Sequence, residues 1–152
     1  MSFLSHIRIG DEIARGGMGS VQLAFREIGP FRRILALKRP LGGKTGTDAE
    51  QELLEEARLA AQVRHPNVIE VLDIGVDDDG LFLVMDYVEG RSLREIEQLP
   101  LQLALWVVRC VASALDAAHS AEQAIVHRDV SPGNVMIGYD GSVRLMDFGL
   151  AR

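Results

Sequence analysis

Hydrophobic and polar positions divide the chain into a strand-rich first part and a helix-rich second part. Short apolar and β-branched runs, bounded by turn residues, predict five strands. These strands cover residues 7–13, 20–25, 33–38, 68–76 and 81–85. The first two flank a glycine-rich turn and therefore predict a hairpin. The last two flank the polar turn Asp77-Asp78-Asp79-Gly80, which is typical of a tight connection between strands.

Helical patterns occupy two longer segments. Thr47 with Glu50 three residues later is a capping-box pattern, so a helix is expected from about Asp48 to about Arg64. His65-Pro66-Asn67 ends that helix, because the residue before a proline avoids helical geometry. A second, longer helix is expected over 101–120. Its apolar residues at helical spacing are Leu101, Leu105, Val108, Ala112 and Leu115.

The remaining segments are short. Gly90 and Ser92 introduce a short helix, and residues 125–152 contain short strands and loops. Strands followed by helices predict an α+β architecture in two lobes.

Composition restricts the class of protein further. The 152 residues are 47% hydrophobic with a formal net charge of -6, which predicts one folded domain and disfavours nucleic-acid binding. The N-terminus has no signal-peptide pattern, and the apolar run 101–118 is interrupted by Arg109 and Asp116. We therefore expect a buried helix rather than a membrane span, a buried thiol at the single cysteine, Cys110, and a cytoplasmic protein.

The glycine-rich turn is the first candidate for chemistry. Residues 14–21 have the sequence Ala-Arg-Gly-Gly-Met-Gly-Ser-Val. Glycines let backbone N–H groups approach phosphates closely. An ordinary hairpin turn without a ligand has the same composition, so this motif alone does not decide between the two.

Lys38 and Glu56 are a candidate ion pair. Lys38 ends an apolar strand, and Glu56 lies within the helical stripe of Leu53, Ala57, Ala60 and Val63. A carboxylate that faces inward needs a cationic partner. The paired lysine could then reach nucleotide phosphates. The alternative is that no binding site exists here, and that Lys38 is an exposed strand end and Glu56 an exposed acid beside Glu52 and Glu55.

Two loops carry candidate oxygen ligands. Asp129 lies in His127-Arg128-Asp129 and is followed five residues later by Asn134, and Asp147-Phe148-Gly149 follows an apolar run. Phosphoryl transfer needs a carboxylate for the attacking hydroxyl and oxygen ligands for magnesium. Asp-Phe-Gly alone also fits an ordinary turn, whereas the first loop is more specific.

These four elements occur in the order and approximate spacing of the protein-kinase signature. On them the chain resembles the eukaryotic-type (Hanks-type) protein kinase catalytic domain, from about His6 to Arg152. The loops 16–19 and 127–134 are most similar to those of bacterial serine/threonine kinases, and Pro132 favours that subclass over tyrosine kinases.

The resemblance implies a two-lobed α+β fold. It implies a complete N-lobe at about 6–86, with a five-stranded antiparallel sheet and one helix. The hinge, the first C-lobe helices, the catalytic loop and the magnesium-binding motif would follow at about 87–152.

The resemblance also implies a chemistry, which is transfer of the γ-phosphoryl group of ATP to a protein serine or threonine hydroxyl. Asp129 would be the base, and Asn134 and Asp147 would hold Mg²⁺ or Mn²⁺. Lys38, steadied by Glu56, would grip the α- and β-phosphates.

A larger set of residues is implied to bind the nucleotide. It comprises Ile13, Ala14, Gly16, Gly17, Gly19, Val21, Ala36, Lys38, Met85, Asp86, Val88, Ser92, Met136 and Asp147. Within it, Met85 would be the gatekeeper, the backbone of Asp86 and Val88 would meet the adenine edge, and Ser92 would meet the ribose. Ala60, Val71, His127 and Phe148 fall where the family stacks its regulatory spine.

Three departures from the family pattern change the expectations. Ala14 replaces the first loop glycine, and Ser131 stands where these kinases carry a lysine. Serine supplies no charge near the transferred phosphate, so transition-state stabilisation is expected to be weaker. By the same resemblance, the family's activation segment would lie beyond Arg152. We therefore expect residues 1–152 alone to have little kinase activity, with Leu105, Trp106 and Val108 facing water.

Two rival functions remain at this point. An inactive, pseudokinase-like regulatory fragment would keep the fold without the chemistry, but it need not retain Lys38, Asp129, Asn134 and Asp147. A small-molecule phosphotransferase of the aminoglycoside-kinase type has a similar loop. Arg128 and the complete Asp-Phe-Gly motif argue against that second rival.

Overall fold

A computed structural model describes residues 6–16, 19–40 and 48–148. The longer strands are β1 (Ile7–Gly16), β2 (Gly19–Ile28), β3 (Phe31–Arg39), β4 (Val71–Asp77) and β5 (Gly80–Asp86). The shorter strands are β6 (Gly90–Ser92), β7 (Val135–Gly138) and β8 (Val143–Leu145). The α-helices are α1 (Asp48–Ala60) and α2 (Leu101–His119), and two 3-10 turns cover Leu93–Glu95 and Pro132–Asn134. The chain divides into two compact units, 1–55 with 71–87 and 56–70 with 88–152.

The first unit contains a five-stranded sheet in the order β1-β2-β3-β5-β4. Every neighbouring pair is antiparallel, which confirms the sheet predicted from the sequence. Each of its five strands overlaps a predicted one. The β4–β5 turn forms at the predicted aspartates, where the N–H of Asp79 donates to Asp77 Oδ1 and Gly80 adopts a φ of 106°.

Opposite faces of this sheet differ in composition. One face carries a buried apolar cluster of Ala24, Leu35, Leu37, Phe82 and Val84. Side chains alternate between faces along a strand, so the neighbouring positions of β2 and β3 belong to the other face. That other face carries Val21, Ala36, Lys38 and Met85, which are predicted nucleotide-binding residues.

Helix α1 is shorter than predicted. It begins at Asp48 as expected but ends at Ala60 rather than near Arg64. The chain leaves the helix through a turn in which Val63 N–H donates to the Ala60 carbonyl. The predicted stripe of Leu53, Ala57, Ala60 and Val63 is buried. Thr47, the proposed capping residue, lies outside the described residues.

The second unit combines a three-stranded antiparallel sheet, in the order β6-β7-β8, with helix α2. The bounds of α2 lie within one residue of the prediction, but its buried face does not coincide with the periodic residues. The side chains that it buries are Val107, Cys110, Ala114 and Ala118. Small side chains at these positions allow α2 to pack closely on β8.

Several large apolar side chains of α2 are exposed. Leu105 is 62% exposed, Trp106 48% and Val108 65%. The exposure of these three side chains agrees with the expectation for residues 1–152 alone, whereas the expectation of a buried helix is wrong for this face of α2. Among the described residues, α2 is the one helix that is long and apolar enough to cross a membrane by length and composition alone. Length and composition do not separate such a span from a helix of a globular domain.

Candidate active site

Asn134 holds the aspartate of the loop 127–134 in place. Its Nδ2 donates to the main-chain carbonyl of Asp129 at 2.9 Å and to Asp129 Oδ2 at 2.8 Å. Because a main-chain carbonyl can only accept, the amide group that faces it is the NH₂ group. The Oδ1 atom of Asn134 therefore stays available as an oxygen ligand, while the Asp129 carboxylate is fixed in orientation.

His127 supports the same loop from a buried position, with 1% of its surface exposed. Its Nε2 lies 2.8 Å from the Met146 carbonyl, and its Nδ1 lies 3.3 Å from the N–H of Asp129. The carbonyl needs a donor and the N–H needs an acceptor, so the ring is the neutral tautomer with its proton on Nε2. Burial lowers the pKa of His127, against the opposing effects of its hydrogen bond to Met146 and of the Asp129 and Asp147 carboxylates.

Both sequence neighbours of Asp147 make contacts with the catalytic loop. The N–H of Met146 donates to the Asn134 carbonyl at 2.8 Å, and the Phe148 ring lies 4.7 Å from the His127 ring, centroid to centroid. Asp147 has a φ of 54° and Arg128 a φ of 67°, in the left-handed region that non-glycine residues seldom occupy. Such conformations cost about 1–3 kcal/mol each and cluster at functional sites.

The segment 65–69 braces β8, and the sequence interpretation missed this role. Asn67 accepts the N–H of Leu145 at 2.7 Å through its main-chain carbonyl and donates through Nδ2 to the Val143 carbonyl at 2.9 Å. Ile69 N–H donates to the Leu145 carbonyl at 3.0 Å. The sequence marked Asn67 only as a helix stop, because no local pattern reveals a partner 76 residues away.

Cys110 lies on the buried face of α2 and is a free thiol, as expected. Burial raises the pKa of the thiol, with smaller opposing effects from Arg109 and from a hydrogen bond with Asn67. A raised pKa and burial both reduce thiolate reactivity. Cys110 is therefore a packing residue.

In the first unit, the sheet register places predicted nucleotide-binding residues together. Ala14 pairs with Val21, Val21 with Lys38, and Ala36 with Met85. Directly paired residues share a face, so these side chains line one side of the sheet. Lys38 is 4% exposed on that face and takes part in a polar or electrostatic interaction.

Gly19 and Gly16 of the hairpin differ in whether the surrounding structure requires a glycine. A Cβ on Gly19 would lie 2.0 Å from the Arg39 carbonyl oxygen, and its φ is 132°, so close backbone approach explains this glycine. Among the described residues, no atom lies within 4 Å of where a Cβ on Gly16 would be, so their packing does not require glycine there. Gly17 lies outside the described residues.

The other predicted nucleotide contacts are distributed over both units. Ile13 is exposed beside an irregularity in the β1–β2 pairing. Asp86 is half-buried and forms an ion pair with Arg33, and Val88 is half-buried in the second unit. Met136 pairs with Ser92 in the β6–β7 ladder. Lys38 lies in the first unit and Glu56 in the second, and their ion pair stays a prediction.

Ser92 is engaged by its neighbour Glu95. Both the N–H and the Oγ of Ser92 donate to Glu95 Oε2, at 2.7 and 2.8 Å. These hydrogen bonds lower the pKa of Glu95. With its hydroxyl proton used in this way, Ser92 could contact a ribose only as an acceptor.

The donor chemistry of the site fits a hard divalent cation. Asn134 offers an amide oxygen and Asp147 a carboxylate, which are ligands that Mg²⁺ and Mn²⁺ prefer. Within the described part of the chain, no group of three or more histidine, cysteine, aspartate or glutamate residues could hold a metal ion. A phosphate-bridging ion held by one or two protein ligands does not need such a group.

Comparison with known proteins identifies the family of the chain. The sequence profile of the protein kinase domain matches residues 7–152, so the chain belongs to the protein kinase domain family. A probable serine/threonine-protein kinase of Clostridium perfringens is 36% identical over 92% of this chain. The tyrosine-protein kinase MasK of Myxococcus xanthus is 32% identical over 93% of it.

A solved structure shows the same fold. The kinase domain of Mycobacterium tuberculosis PknI, crystallised as a mutant, is similar with a TM-score of 0.72 at 31% identity, over 97% of this chain and 61% of that chain. This chain spans 21% of the Clostridium perfringens relative and 24% of MasK. Helix α2 lies within the residues matched by the kinase profile, which favours a helix of the catalytic domain over a membrane span.

Proposed function

We propose that the protein transfers the γ-phosphoryl group of ATP to a serine or threonine hydroxyl of a protein substrate. The observation that carries the proposal is the Asn134 amide, which fixes the Asp129 carboxylate on one side and leaves an oxygen ligand for a cation. The Met146 backbone links this loop directly to Asp147. Relatives from several bacteria that are named serine/threonine kinases support the choice of hydroxyl.

The residues then have distinct roles. Asp129 orients the acceptor hydroxyl and takes its proton as the oxygen bonds to the γ-phosphorus and ADP leaves. Lys38 stabilises negative charge on the α- and β-phosphates, and Glu56 steadies Lys38. A bound Mg²⁺ or Mn²⁺ would neutralise phosphate charge, with Asn134 and Asp147 as its protein ligands.

The nucleotide would lie against the sheet face that carries Val21, Ala36 and Met85. Asp86 and Val88 would offer backbone groups to the adenine edge. Hairpin residues Ile13, Ala14, Gly16, Gly17 and Gly19 would cover the phosphates, and Met136 and Ser92 would complete the site. We assign about 6–86 to an N-lobe and about 87–152 to a hinge and C-lobe, and we propose a cytoplasmic location for the domain.

The test is the metal dependence of binding and transfer in the full-length protein. We expect ATP to bind more tightly with Mg²⁺ or Mn²⁺ than in excess EDTA, and EDTA to abolish transfer to a protein acceptor. Phosphoamino-acid analysis of the product should give phosphoserine or phosphothreonine. Equal ATP affinity with and without EDTA would refute the metal assignment, and phosphotyrosine alone would refute the acceptor.

A further inference from the structure

Arg94 lies against the catalytic loop, and none of the roles above uses it. It belongs to the 3-10 turn Leu93–Glu95, which packs on the 3-10 turn Pro132–Asn134. A Cβ added to Gly133 would lie 2.8 Å from Arg94 Nη2, 2.9 Å from its Cζ and 3.2 Å from its Nε. Three guanidinium atoms therefore lie over Gly133, and a larger residue there would displace them.

The side chain of Arg94 is open to solvent. No ion pair joins it to a carboxylate within residues 6–16, 19–40 and 48–148. Glu95 is adjacent in sequence, but its Oε2 accepts both hydrogen bonds from Ser92. Arg94 thus presents a solvent-accessible cation beside the loop.

The position of this cation relates it to the acceptor. Gly133 follows Asp129 by four residues in the same short loop. A protein whose hydroxyl reaches Asp129 must lay its flanking residues over the exposed side of that loop. Ser131 is neutral and Val130 is an exposed apolar residue, so Arg94 adds positive charge on the Gly133 side of a loop whose other exposed cation is Arg128.

We propose that Arg94 selects protein substrates that carry an aspartate or glutamate close to the acceptor hydroxyl. The inference rests on the proposed kinase function and names the substrate class of the same site. The Arg94 guanidinium beside Gly133 can offer two parallel N–H donors to a carboxylate, which a lysine ammonium cannot. Arg94 would act as a specificity-determining residue, with no part in the proton or phosphoryl transfer.

The experiment compares matched peptides with the full-length protein. Each peptide has one serine and a single glutamate at a scanned position around it, and its partner has glutamine at that position. The variants are Arg94→Ala and Arg94→Glu, with Arg91→Ala as a control because Arg91 is another exposed arginine nearby, on β6. The readout is the ratio of kcat/KM for the glutamate peptide to that for its glutamine partner, with KM and kcat measured separately.

At the position where glutamate has the largest effect, we expect the ratio of the two kcat/KM values to be about two to five, the range for an exposed ion pair. The difference should lie in KM and shrink at high ionic strength. Arg94→Ala should bring the ratio near one, Arg94→Glu should bring it below one, and Arg91→Ala should keep the wild-type ratio.

Two kinds of result would overturn the inference, and they are distinguishable. Wild-type transfer with a ratio of one at every position, or a ratio unchanged by Arg94→Ala, would reject the role of Arg94 alone. An equal loss with both peptides would do the same, because it would assign Arg94 to the phosphate or to the fold. No transfer to any peptide or to the protein itself would reject the kinase function, and the inference with it.

Discussion

His127 shows how one residue serves both the fold and the chemistry. It is a neutral, buried imidazole that joins the Asp129 backbone to the Met146 carbonyl, and so connects the two loops that carry Asp129 and Asp147. The sequence placed His127 in the right motif. It could not show the tautomer, since that depends on a carbonyl 19 residues away.

The protonation of His127 predicts a pH effect on stability. Burial lowers the pKa of His127 in the folded protein. Below about pH 6.5, the ordinary pKa of histidine, the unfolded chain therefore binds a proton more readily than the folded chain does. Stability from this residue is therefore present above that pH and lost as the pH falls towards the folded pKa. Urea denaturation at pH 7.5 and 5.5 should show a drop in the free energy of unfolding.

The matched variants for this effect are His127→Gln and His119→Gln. His127→Gln should lower stability at pH 7.5 by about 1–3 kcal/mol, because a buried hydrogen bond is lost, and should reduce the drop at pH 5.5. His119 is exposed at the end of α2, so His119→Gln should behave like the wild type. An unchanged pH dependence in His127→Gln would contradict the assignment.

At the scale of elements, the sequence predicts the length of α2, whereas packing decides which of its sides is buried. Its length follows from local pattern, and the prediction of 101–120 differs from the structure by one residue. Its buried side is set by Cys110, Ala114 and Ala118 against β8. Large apolar residues at helical spacing predicted a buried helix, yet Leu105 and Val108 are exposed, because size signals burial only when a partner is known.

The brace formed by Asn67 gives a prediction at the same scale. Asn67→Ala leaves the Val143 carbonyl without its side-chain donor, so the free energy of unfolding should fall by about 1–3 kcal/mol. Gln62 is a suitable control, since its amide donates to the Arg58 carbonyl from an exposed position. Gln62→Ala should change stability by less than about 0.5 kcal/mol. Equal effects of the two substitutions in urea denaturation would show that Asn67 does not brace β8.

At the scale of the whole molecule, the exposed apolar side chains of α2 predict self-association. A polypeptide limited to residues 1–152 should form oligomers or aggregates at micromolar concentration, since large exposed apolar patches drive association. Replacing Leu105, Trp106 and Val108 together by glutamine should shift it towards the monomer in light scattering. The control is Val76→Gln, an exposed apolar residue of β4. A wild-type monomer at these concentrations would contradict the prediction.

The residues of the site could be grouped from the sequence only because the four motifs occur in the order of the protein-kinase signature. Local pattern predicted the hairpin, the strands and both helices, because those depend on neighbouring residues. The Asn134–Asp129 hydrogen bonds and the position of Arg94 against Gly133 depend on contacts between loops. A single sequence carries no periodic signal for such contacts.

The central claim is that Asp129 performs the chemistry while other groups bind the nucleotide. The most direct test measures ATP affinity and phosphoryl transfer for wild type and Asp129→Asn in the full-length protein, with Mg²⁺ present. Asparagine keeps an oxygen that can accept from Asn134 but cannot take the hydroxyl proton. We therefore predict a similar Kd for ATP and a loss of kcat of about 10²- to 10⁴-fold. Transfer by Asp129→Asn at close to the wild-type rate would contradict this account.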